Sequence, residues 1–377
     1  MKKLMEIRVD KGFDLEKAVC NHGFFMTLPN QWSPSSKLLR RPLRLSDGYS
    51  SVMVSISFHF SSITYSHILI STDTKVADSD QDVIKKQVVR MLRLTNKDEN
   101  DVRKFQEVHA EARTHGFGRL FRAPDLFEDI IKALLLCNIT WKRTLEMCQY
   151  LCELQAELES GMHKDCASAP TIKPRKINDF FRSCKKTTSK VNLRALGNFP
   201  SSKELAGLSE EFLKKRCNLG FRAKYIIQLA QLVEKGQLDV ELDKLTSFDD
   251  YDDIRMKMMK LKGIGSFATA NILMCMGDYR NIPTDTETIK HLREVHGMED
   301  CKEATLEKDV KQVYDQFAPY QCLAYWYENI ESYERKLGTK LSNLSPANYH
   351  TVSSSYLAPK NNKCITSRKR KRSCSSP

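Results

Sequence analysis

The chain has 377 residues, of which 41% are hydrophobic and 28% are charged, so it can bury a large core and form about two or three domains. Its longest apolar runs are too short to span a bilayer. The basic start "MKKLMEIRVDKGF" has no apolar core after it, so we expect neither a membrane partner nor a secretory signal. The formal net charge of +13 fits a polyanionic partner such as nucleic acid.

The first predicted elements are β-strands, in an N-terminal β-rich domain at residues 1–80. The stretches "FFMTL", "SVMVSISFHF" and "ITYSHILIS" are rich in aromatic and β-branched residues and alternate in part between apolar and polar positions. The turn-rich stretches "PNQWSPSS" and "LSDGYS" separate them. This pattern predicts a small antiparallel sheet.

A helical domain is predicted next, at residues 81–338. Apolar residues recur at three- and four-residue spacing in "DVIKKQVVRMLRL" and in "DLFEDIIKALLLCNITWKRTLEMCQYLCELQAEL". Pro124 and Asp125 predict a helix start. Residues 158–192 are polar and basic without a sustained period, which indicates an insertion or loop within this domain.

The C-terminal segment, residues 339–377, is rich in Ser, Asn and Lys and is predicted to be a disordered basic tail. A short basic cluster near its end is typical of a nuclear import signal, although a solvated tail has the same composition: Arg368, Lys369, Arg370, Lys371 and Arg372. We therefore predict a nuclear protein.

The twelve cysteines are scattered. They form no C-x-x-C pair and no quartet with zinc-like spacing. We expect reduced thiols in a nuclear or cytosolic compartment, and no metal site.

The segment "LKGIGSFATANILMCM" predicts two helices joined by a tight turn. Gly263 and Gly265 permit positive φ and a close approach of the backbone. Ile264 can anchor the turn in a core, and a second helix is expected from Phe267. The backbone N–H groups at a helix start can bind a phosphate, so Gly263 to Ser266 are candidate phosphate contacts; the turn could also be a plain connector.

The segment "NIPTDTETIK" follows closely. Thr284 and Glu287 have the spacing of a capping box, which would place Asp285 in the first turn of a new helix. The helix dipole favours a carboxylate there. Taken alone, Asp285 is therefore better explained as a stabilising residue.

Together, the two segments resemble the helix-hairpin-helix DNA glycosylases (the HhH-GPD superfamily), in which an L-x-G-[IV]-G hairpin precedes a P-x-D. The matching residues are Leu261, Gly263, Ile264, Gly265, Pro283 and Asp285. The resemblance covers about residues 13–335 apart from the insertion, and it lies between the 8-oxoguanine DNA glycosylase and 3-methyladenine DNA glycosylase II types. It implies an α+β fold, with a mainly α-helical body and an N-terminal antiparallel β-sheet domain.

The resemblance also implies a function, base excision repair by a DNA N-glycosylase. Such an enzyme acts as a monomer on double-stranded DNA and flips a damaged base out of the stack. Asp285 would stabilise the positive charge that develops at C1′ and activate a water molecule. The hairpin residues Gly263, Ile264, Gly265 and Ser266 would hold the flanking phosphates.

One position bears on the reaction type. Bifunctional members have a nucleophilic lysine where this chain has Phe267, so the resemblance implies a monofunctional enzyme without lyase activity. Lys262 or Lys290 could still act as a substitute. No cysteine quartet follows Asp285, so no iron–sulfur cluster is expected. No cofactor is needed, although a monovalent cation at the hairpin is compatible with the resemblance.

By the same resemblance, Asn138 and Arg143 face the base opposite the lesion, and Phe317 and Tyr320 form walls of the base pocket with Phe267. Arg143 could instead be a solvated helix residue, and the aromatic residues could be core. Two other functions stay open: a non-catalytic helix-hairpin-helix DNA-binding protein, and a bifunctional 8-oxoguanine-type glycosylase and lyase. The damaged base, an oxidised or an alkylated purine, is not identified.

Overall fold

A computed structural model of the chain describes residues 4–60, 65–161, 196–240 and 248–353. An antiparallel sheet near the N-terminus is followed by helices, so the predicted α+β fold class is confirmed. None of the helices in these ranges is long and apolar enough to span a bilayer. The predicted insertion, apart from its first residues, and the basic cluster at 368–372 lie outside the described residues.

The sheet has the strand order β1-β5-β4-β3-β2, and each neighbouring pair is antiparallel. Residues alternate between buried and half-buried along β4, as expected for a sheet with one face on the core. The strands are β1 Leu4–Asp10, β2 Gln31–Ser33, β3 Leu38–Arg44, β4 Ser51–Phe60 and β5 Tyr65–Thr72.

Four details of the strand prediction are wrong, and one of them is that β2 (Gln31–Ser33) lies inside "PNQWSPSS", which was predicted as a turn-rich separator. The stretch "FFMTL" is not a strand, because Gly23–Met26 is a 3-10 helix. Its side chains Phe24, Phe25 and Met26 are all buried, whereas a strand with one solvent-facing side would bury only every second one. Strands β1 and β3 were not predicted, since their charged residues hide the apolar alternation.

The helices follow the sheet and carry most of the remaining core. In chain order they are α1 Leu15–Val19, α2 Asp78–Leu92, α3 Asn96–Val108, α4 Ala110–Thr114, α5 Leu126–Leu136, α6 Trp141–Glu159, α7 Ser202–Ala206, α8 Glu210–Cys217, α9 Arg222–Glu234, α10 Phe248–Met259, α11 Ser266–Met276, α12 Thr286–His296, α13 Leu306–Tyr314 and α14 Gln321–Leu337. Helix α5 begins after Asp125, whose side chain accepts from the Glu128 amide, in agreement with the predicted start.

Two hydrophobic clusters organise the molecule. The first joins the inner face of the sheet to α1 to α4 and to the C-terminal helices α12 to α14. The second is formed mainly by α5 to α11. Because the sheet shares its core with the end of the chain, the predicted boundary at residue 80 does not separate two hydrophobic cores.

A buried ionic network connects the sheet to the second cluster. Arg41 Nη2 lies 2.9 Å from Glu128 Oε2, and Lys132 Nζ lies 2.7 Å from Glu128 Oε1. Burial by itself would raise the pKa of Glu128, but the two cations outweigh it and bring the pKa to about 2. All three side chains are almost fully enclosed, so loss of one partner would leave an unpaired charge in the interior.

The disorder predicted from residue 339 is wrong for the first part of that segment. Leu341–Asn343 and Pro346–Thr351 form 3-10 helices. Their carbonyls accept indole hydrogen bonds from distant parts of the chain: Trp32 Nε1 donates to Ser342 O at 2.9 Å, and Trp141 Nε1 to Tyr349 O at 2.8 Å. These contacts fix the segment to the body.

Candidate active site

The predicted hairpin joins α10 to α11. Gly263 adopts a φ of +90°, and Ile264 is buried in the second cluster, so the turn is anchored as expected. Gly265, in contrast, has a φ of −101° and is the N-cap of α11. The expectation of positive φ is therefore right for Gly263 and wrong for Gly265. The helix also begins one residue earlier than predicted, at Ser266.

The two glycines differ in the space around them. A Cβ on Gly263 would lie 2.6 Å from ring atoms of Tyr225, a distance that side chains do not tolerate. A Cβ on Gly265 would meet nothing within 4 Å. Gly265 and Ser266 are exposed, and no side chain caps the N-terminus of α11. The amides at this helix start are thus available to an external anion.

The opposite end of α11 is capped by buried arginines. Arg93 Nη2 donates to Met274 O at 2.6 Å, and Arg122 Nη1 donates to Cys275 O at 2.7 Å. Gly277 ends the helix with a φ of +101°. Cations at a helix C-terminus complement its dipole, so α11 is firmly held and can present its N-terminus in a fixed position.

Asp285 is the N-cap of α12. Its Oδ1 accepts hydrogen bonds from the amides of Glu287 at 2.9 Å and Thr288 at 3.1 Å. The Asp285 amide donates to Thr288 Oγ1 at 3.1 Å, which completes a capping box. The predicted box of Thr284 and Glu287 is therefore wrong by one residue. The hydrogen bonds that Asp285 accepts within the described part of the chain end on Oδ1, so Oδ2 is available to a ligand.

The environment of Asp285 disfavours its charge. Burial raises the pKa of Asp285, and the nearby Glu287 carboxylate adds to the rise, while hydrogen bonds from Thr288 and Glu287 oppose it. A partly desolvated carboxylate with a perturbed pKa is typical of functional sites. A purely structural N-cap residue is more often solvated.

Asp285 lines a cavity of about 340 Å³, within the range of small-molecule sites. Its walls come from the 3-10 helix at residues 23–26, the α5–α6 connection and helices α6, α11, α12 and α14. They are largely apolar and aromatic. The lining includes His22, Gly23, Phe24, Trp141, Phe267, Asn271, Pro283, Asp285, Glu287, Tyr325, Trp326, Asn329 and Tyr333.

The polar groups in this lining differ in what they can offer. Burial, and to a smaller extent the charge of Arg93, lowers the pKa of His22 to about 3, so this imidazole is neutral. The amides of Asn271 and Asn329 donate to backbone carbonyls of their own helices at 3.0 and 2.8 Å. The indole Nε1 of Trp326 is buried and has no hydrogen-bond partner within the described residues.

The cavity lining carries negative charge without basic side chains. Asp285 and Glu287 belong to it, and among the described residues no lysine or arginine does. Lys290 Nζ lies 3.2 Å from Glu287 Oε1 and is about half exposed. Lys262 is exposed in the hairpin turn. Phe267, the residue on which the predicted lack of lyase activity depends, is part of the cavity wall.

Two of the predicted wall residues do not line this cavity. Phe317 stacks on His109, with ring centroids 4.8 Å apart, and Tyr320 packs edge-on against Phe105. Both precede α14, which begins at Gln321, so they point into the first cluster. The residues of this part of the chain that do line the cavity come later in the sequence, on one face of α14: Tyr325, Trp326, Asn329, Ile330 and Tyr333.

Asn138 and Arg143 also lie outside the lining, although their neighbours Ile139, Thr140 and Trp141 belong to it. Asn138 has a φ of +51° at the end of the turn that follows α5. Arg143 Nη1 lies 2.7 Å from Glu146 Oε2, and its Nη2 donates to Asn218 O at 2.7 Å. In this structure Arg143 is held by its own neighbours. Its predicted contact with the opposite base stays a prediction.

Several lining residues were not predicted. Sequence spacing gave no reason to group His22, Phe24 and Trp141 with Asp285, because tertiary packing alone brings them together. A weak signal exists for Tyr325 and Trp326, which recur with Asn329 and Tyr333 at helical spacing in "YWYENIESY".

Comparison with known proteins gives structural matches only: no family model matches the chain, and no curated protein sequence matches it. The 3-methyladenine DNA-glycosylase from Archaeoglobus fulgidus aligns with a TM-score of 0.58 and 17% identity, over 88% of this chain and 98% of the glycosylase.

An 8-oxoguanine glycosylase/lyase from Clostridium acetobutylicum also aligns. Its apo form gives a TM-score of 0.54 at 14% identity, over 87% of this chain and 97% of that chain. Its complex with double-stranded DNA that contains cytosine opposite 8-oxoG gives 0.55 at 14% identity, over 90% and 98%. The chain therefore has the fold of the helix-hairpin-helix DNA glycosylases, with likeness to both the 3-methyladenine and the 8-oxoguanine types.

Proposed function

We propose that this protein is a DNA N-glycosylase of base excision repair. It binds double-stranded DNA as a monomer, flips a damaged base into the cavity beside Asp285 and hydrolyses the N-glycosidic bond. The observation that carries the proposal is the position of Asp285: its carboxylate is fixed through Oδ1, lies beside an aromatic cavity and leaves Oδ2 available.

The chemistry requires this arrangement. Cleavage of an N-glycosidic bond builds positive charge at C1′, which a fixed carboxylate stabilises, and the same group can orient or deprotonate the attacking water. An extruded base needs aromatic faces on which to stack. The exposed amides at the start of α11 would hold a backbone phosphate near the flipped nucleotide.

Hydrolysis without a lyase step fits the lining better than a lysine mechanism. Phe267 contributes a phenyl ring to the wall, and a Schiff base requires an amine. Among the described residues no lysine lines the cavity. One of the aligned proteins is a glycosylase/lyase and another is a 3-methyladenine glycosylase, so structural likeness favours neither reaction type.

The lining favours a positively charged base as substrate. Aromatic faces attract cations, the two carboxylates of Asp285 and Glu287 do the same, and His22 is neutral. Alkylation of a purine at a ring nitrogen gives such a cation and a good leaving group. Of the two classes left open by the sequence, alkylated purines therefore agree better with the charge of the cavity.

The rival function is a non-catalytic DNA-binding protein that uses only the hairpin. Such a protein has no need for a desolvated carboxylate in an aromatic cavity.

Nuclear import through residues 368–372 is proposed from their sequence alone.

A panel of duplexes with one defined lesion each tests the function. We expect release of 3-methyladenine or 7-methylguanine, slower or no release of 8-oxoguanine, and strand breaks only after alkali. Binding to every duplex without release of any base would favour the rival.

A further inference from the structure

A cluster of polar side chains where α12, α13 and α14 meet has no place in the proposed reaction. His291 and His296 belong to α12, Tyr314 ends α13, and Glu328 lies on α14. His291 is six residues beyond Asp285, about 9 Å along the helix. None of these four residues lines the cavity, although Tyr325, which does, packs edge-on against His291.

The four side chains converge on one point. Glu328 Oε2 lies 3.2 Å from His291 Nε2, 2.9 Å from His296 Nε2 and 2.5 Å from Tyr314 Oη. Tyr314 Oη lies 3.0 Å from His291 Nε2 and 3.3 Å from His296 Nε2. The two separations between Glu328 Oε2 and an imidazole Nε2, 3.2 and 2.9 Å, are close to the distance of about 3.3 Å between ligand atoms around a tetrahedral zinc ion with bonds near 2.05 Å.

These contacts can be satisfied in two ways. Hydrogen bonds from His291 Nε2, His296 Nε2 and Tyr314 Oη can all end on Glu328 Oε2. A cation held between the two imidazoles and the carboxylate would instead use the lone pairs of His291, His296 and Glu328.

We propose that His291, His296 and Glu328 bind a divalent transition metal ion, with zinc preferred. Their ligand atoms lie within 4.8 Å of one another, and two imidazoles with a carboxylate form an established zinc donor set. Tyr314 keeps its proton near neutral pH and donates to the bound carboxylate, which orients it. A water molecule completes the tetrahedron.

The exposure of the three ligands shows how an ion can enter the site, and their positions in the chain show which helices it would connect. The side chain of His291 is only 4% exposed, whereas His296 and Glu328 are 22% and 21% exposed, so an ion can enter from the outer side. The ligands are up to 37 residues apart in the chain, so no short motif reveals them. Bound metal would tie α12 to α14.

The test uses the full-length protein, kept reduced and freed of metal with a chelator. Cobalt(II) is titrated first, because tetrahedral cobalt has visible ligand-field bands and because thiolate ligands would add a near-ultraviolet charge-transfer band. Zinc affinity is then measured by displacement of the cobalt. We expect one equivalent of metal, no thiolate band, and an unfolding temperature raised by a few degrees with excess zinc.

His296→Gln and Glu328→Gln are the informative variants, since both sites are partly exposed and glutamine keeps the size of each side chain. Each should weaken zinc binding at least about 100-fold and abolish the rise in unfolding temperature. His115→Gln is the matched control, because His115 is more than half exposed and lies outside the cluster. Absence of binding by folded wild-type protein, unchanged binding in both variants, or a thiolate band would overturn the proposal.

Discussion

The hydroxyl of Thr288 lies 2.9 Å from the hydroxyl of Tyr325, and this contact links the cap of α12 to α14. Thr288 Oγ1 also accepts from the Asp285 amide, while Tyr325 lines the cavity. The position of Asp285 is therefore set by a side chain that a second helix holds in place.

Removal of the contact between Thr288 and Tyr325 should lower the catalytic rate more than it lowers the stability of the fold. Tyr325→Phe deletes only the phenol oxygen, and we expect kcat to fall about 10-fold, equivalent to about 1.4 kcal/mol in the barrier, with DNA affinity unchanged. Thr288→Val also deletes the capping partner and should lower the free energy of unfolding by about 1 kcal/mol. Single-turnover rates and denaturant unfolding measure the two effects. A wild-type rate in Tyr325→Phe would contradict this role.

The two hairpin glycines should respond differently to substitution. Gly263→Ala should destabilise the protein, because its Cβ would collide with Tyr225 at a φ of +90°. Gly265→Val should fold normally, since its Cβ has open space and its φ is negative, but the side chain would block a phosphate at the start of α11. We expect a loss of DNA affinity and of turnover in Gly265→Val. Unchanged affinity in that folded variant would mean that the hairpin is only a connector.

The pH dependence of base release should shift in opposite directions in two variants. Activity requires ionised Asp285, so the rate should rise with pH through its raised pKa. The Glu287 charge raises that pKa and the Thr288 hydroxyl lowers it. Glu287→Gln should therefore move the acid limb to lower pH, and Thr288→Val should move it to higher pH.

Single-turnover rates of base release, measured from about pH 4 to 9, give the acid limb of the pH profile for the wild type and for each variant. If neither variant moves the acid limb, the limb reports a group other than Asp285.

The motif at the centre of the site could be predicted, because it is local. Glycine at a tight turn and a proline two residues before an aspartate constrain the backbone within a few residues, so the hairpin and the start of α12 were predicted to within one residue. The capping box was shifted by one because Asp285 and Thr284 are both good N-cap residues.

The walls of the cavity could not be predicted in the same way. Phe317 and Tyr320 are aromatic and near in sequence, but α14 begins only at Gln321, so the helix presents Tyr325 and Trp326 instead. His22 lies 4.2 Å from Trp326, measured between ring centroids, and no sequence spacing relates two residues at opposite ends of the chain. That contact follows from the shared core of the sheet and the C-terminal helices.

The absence of an amine at position 267 predicts hydrolysis of the N-glycosidic bond without cleavage of the DNA strand. Borohydride should trap no covalent adduct between the wild-type protein and DNA, and an intact abasic site should remain until alkali is added. Phe267→Lys tests the position directly, with Phe267→Met as a control without an amine. An adduct trapped in the wild type and lost only on removal of one lysine would show a bifunctional enzyme.

Base release by Asp285→Asn under single turnover, measured beside its affinity for the same alkylated duplex, tests the central claim most directly. Asparagine keeps the N-cap and the shape but removes the charge, and because burial raises the pKa of Asp285, its loss should not destabilise the fold at neutral pH. We expect release to slow by about 100-fold or more with the dissociation constant within about threefold of wild type. Release at a near wild-type rate would contradict the account.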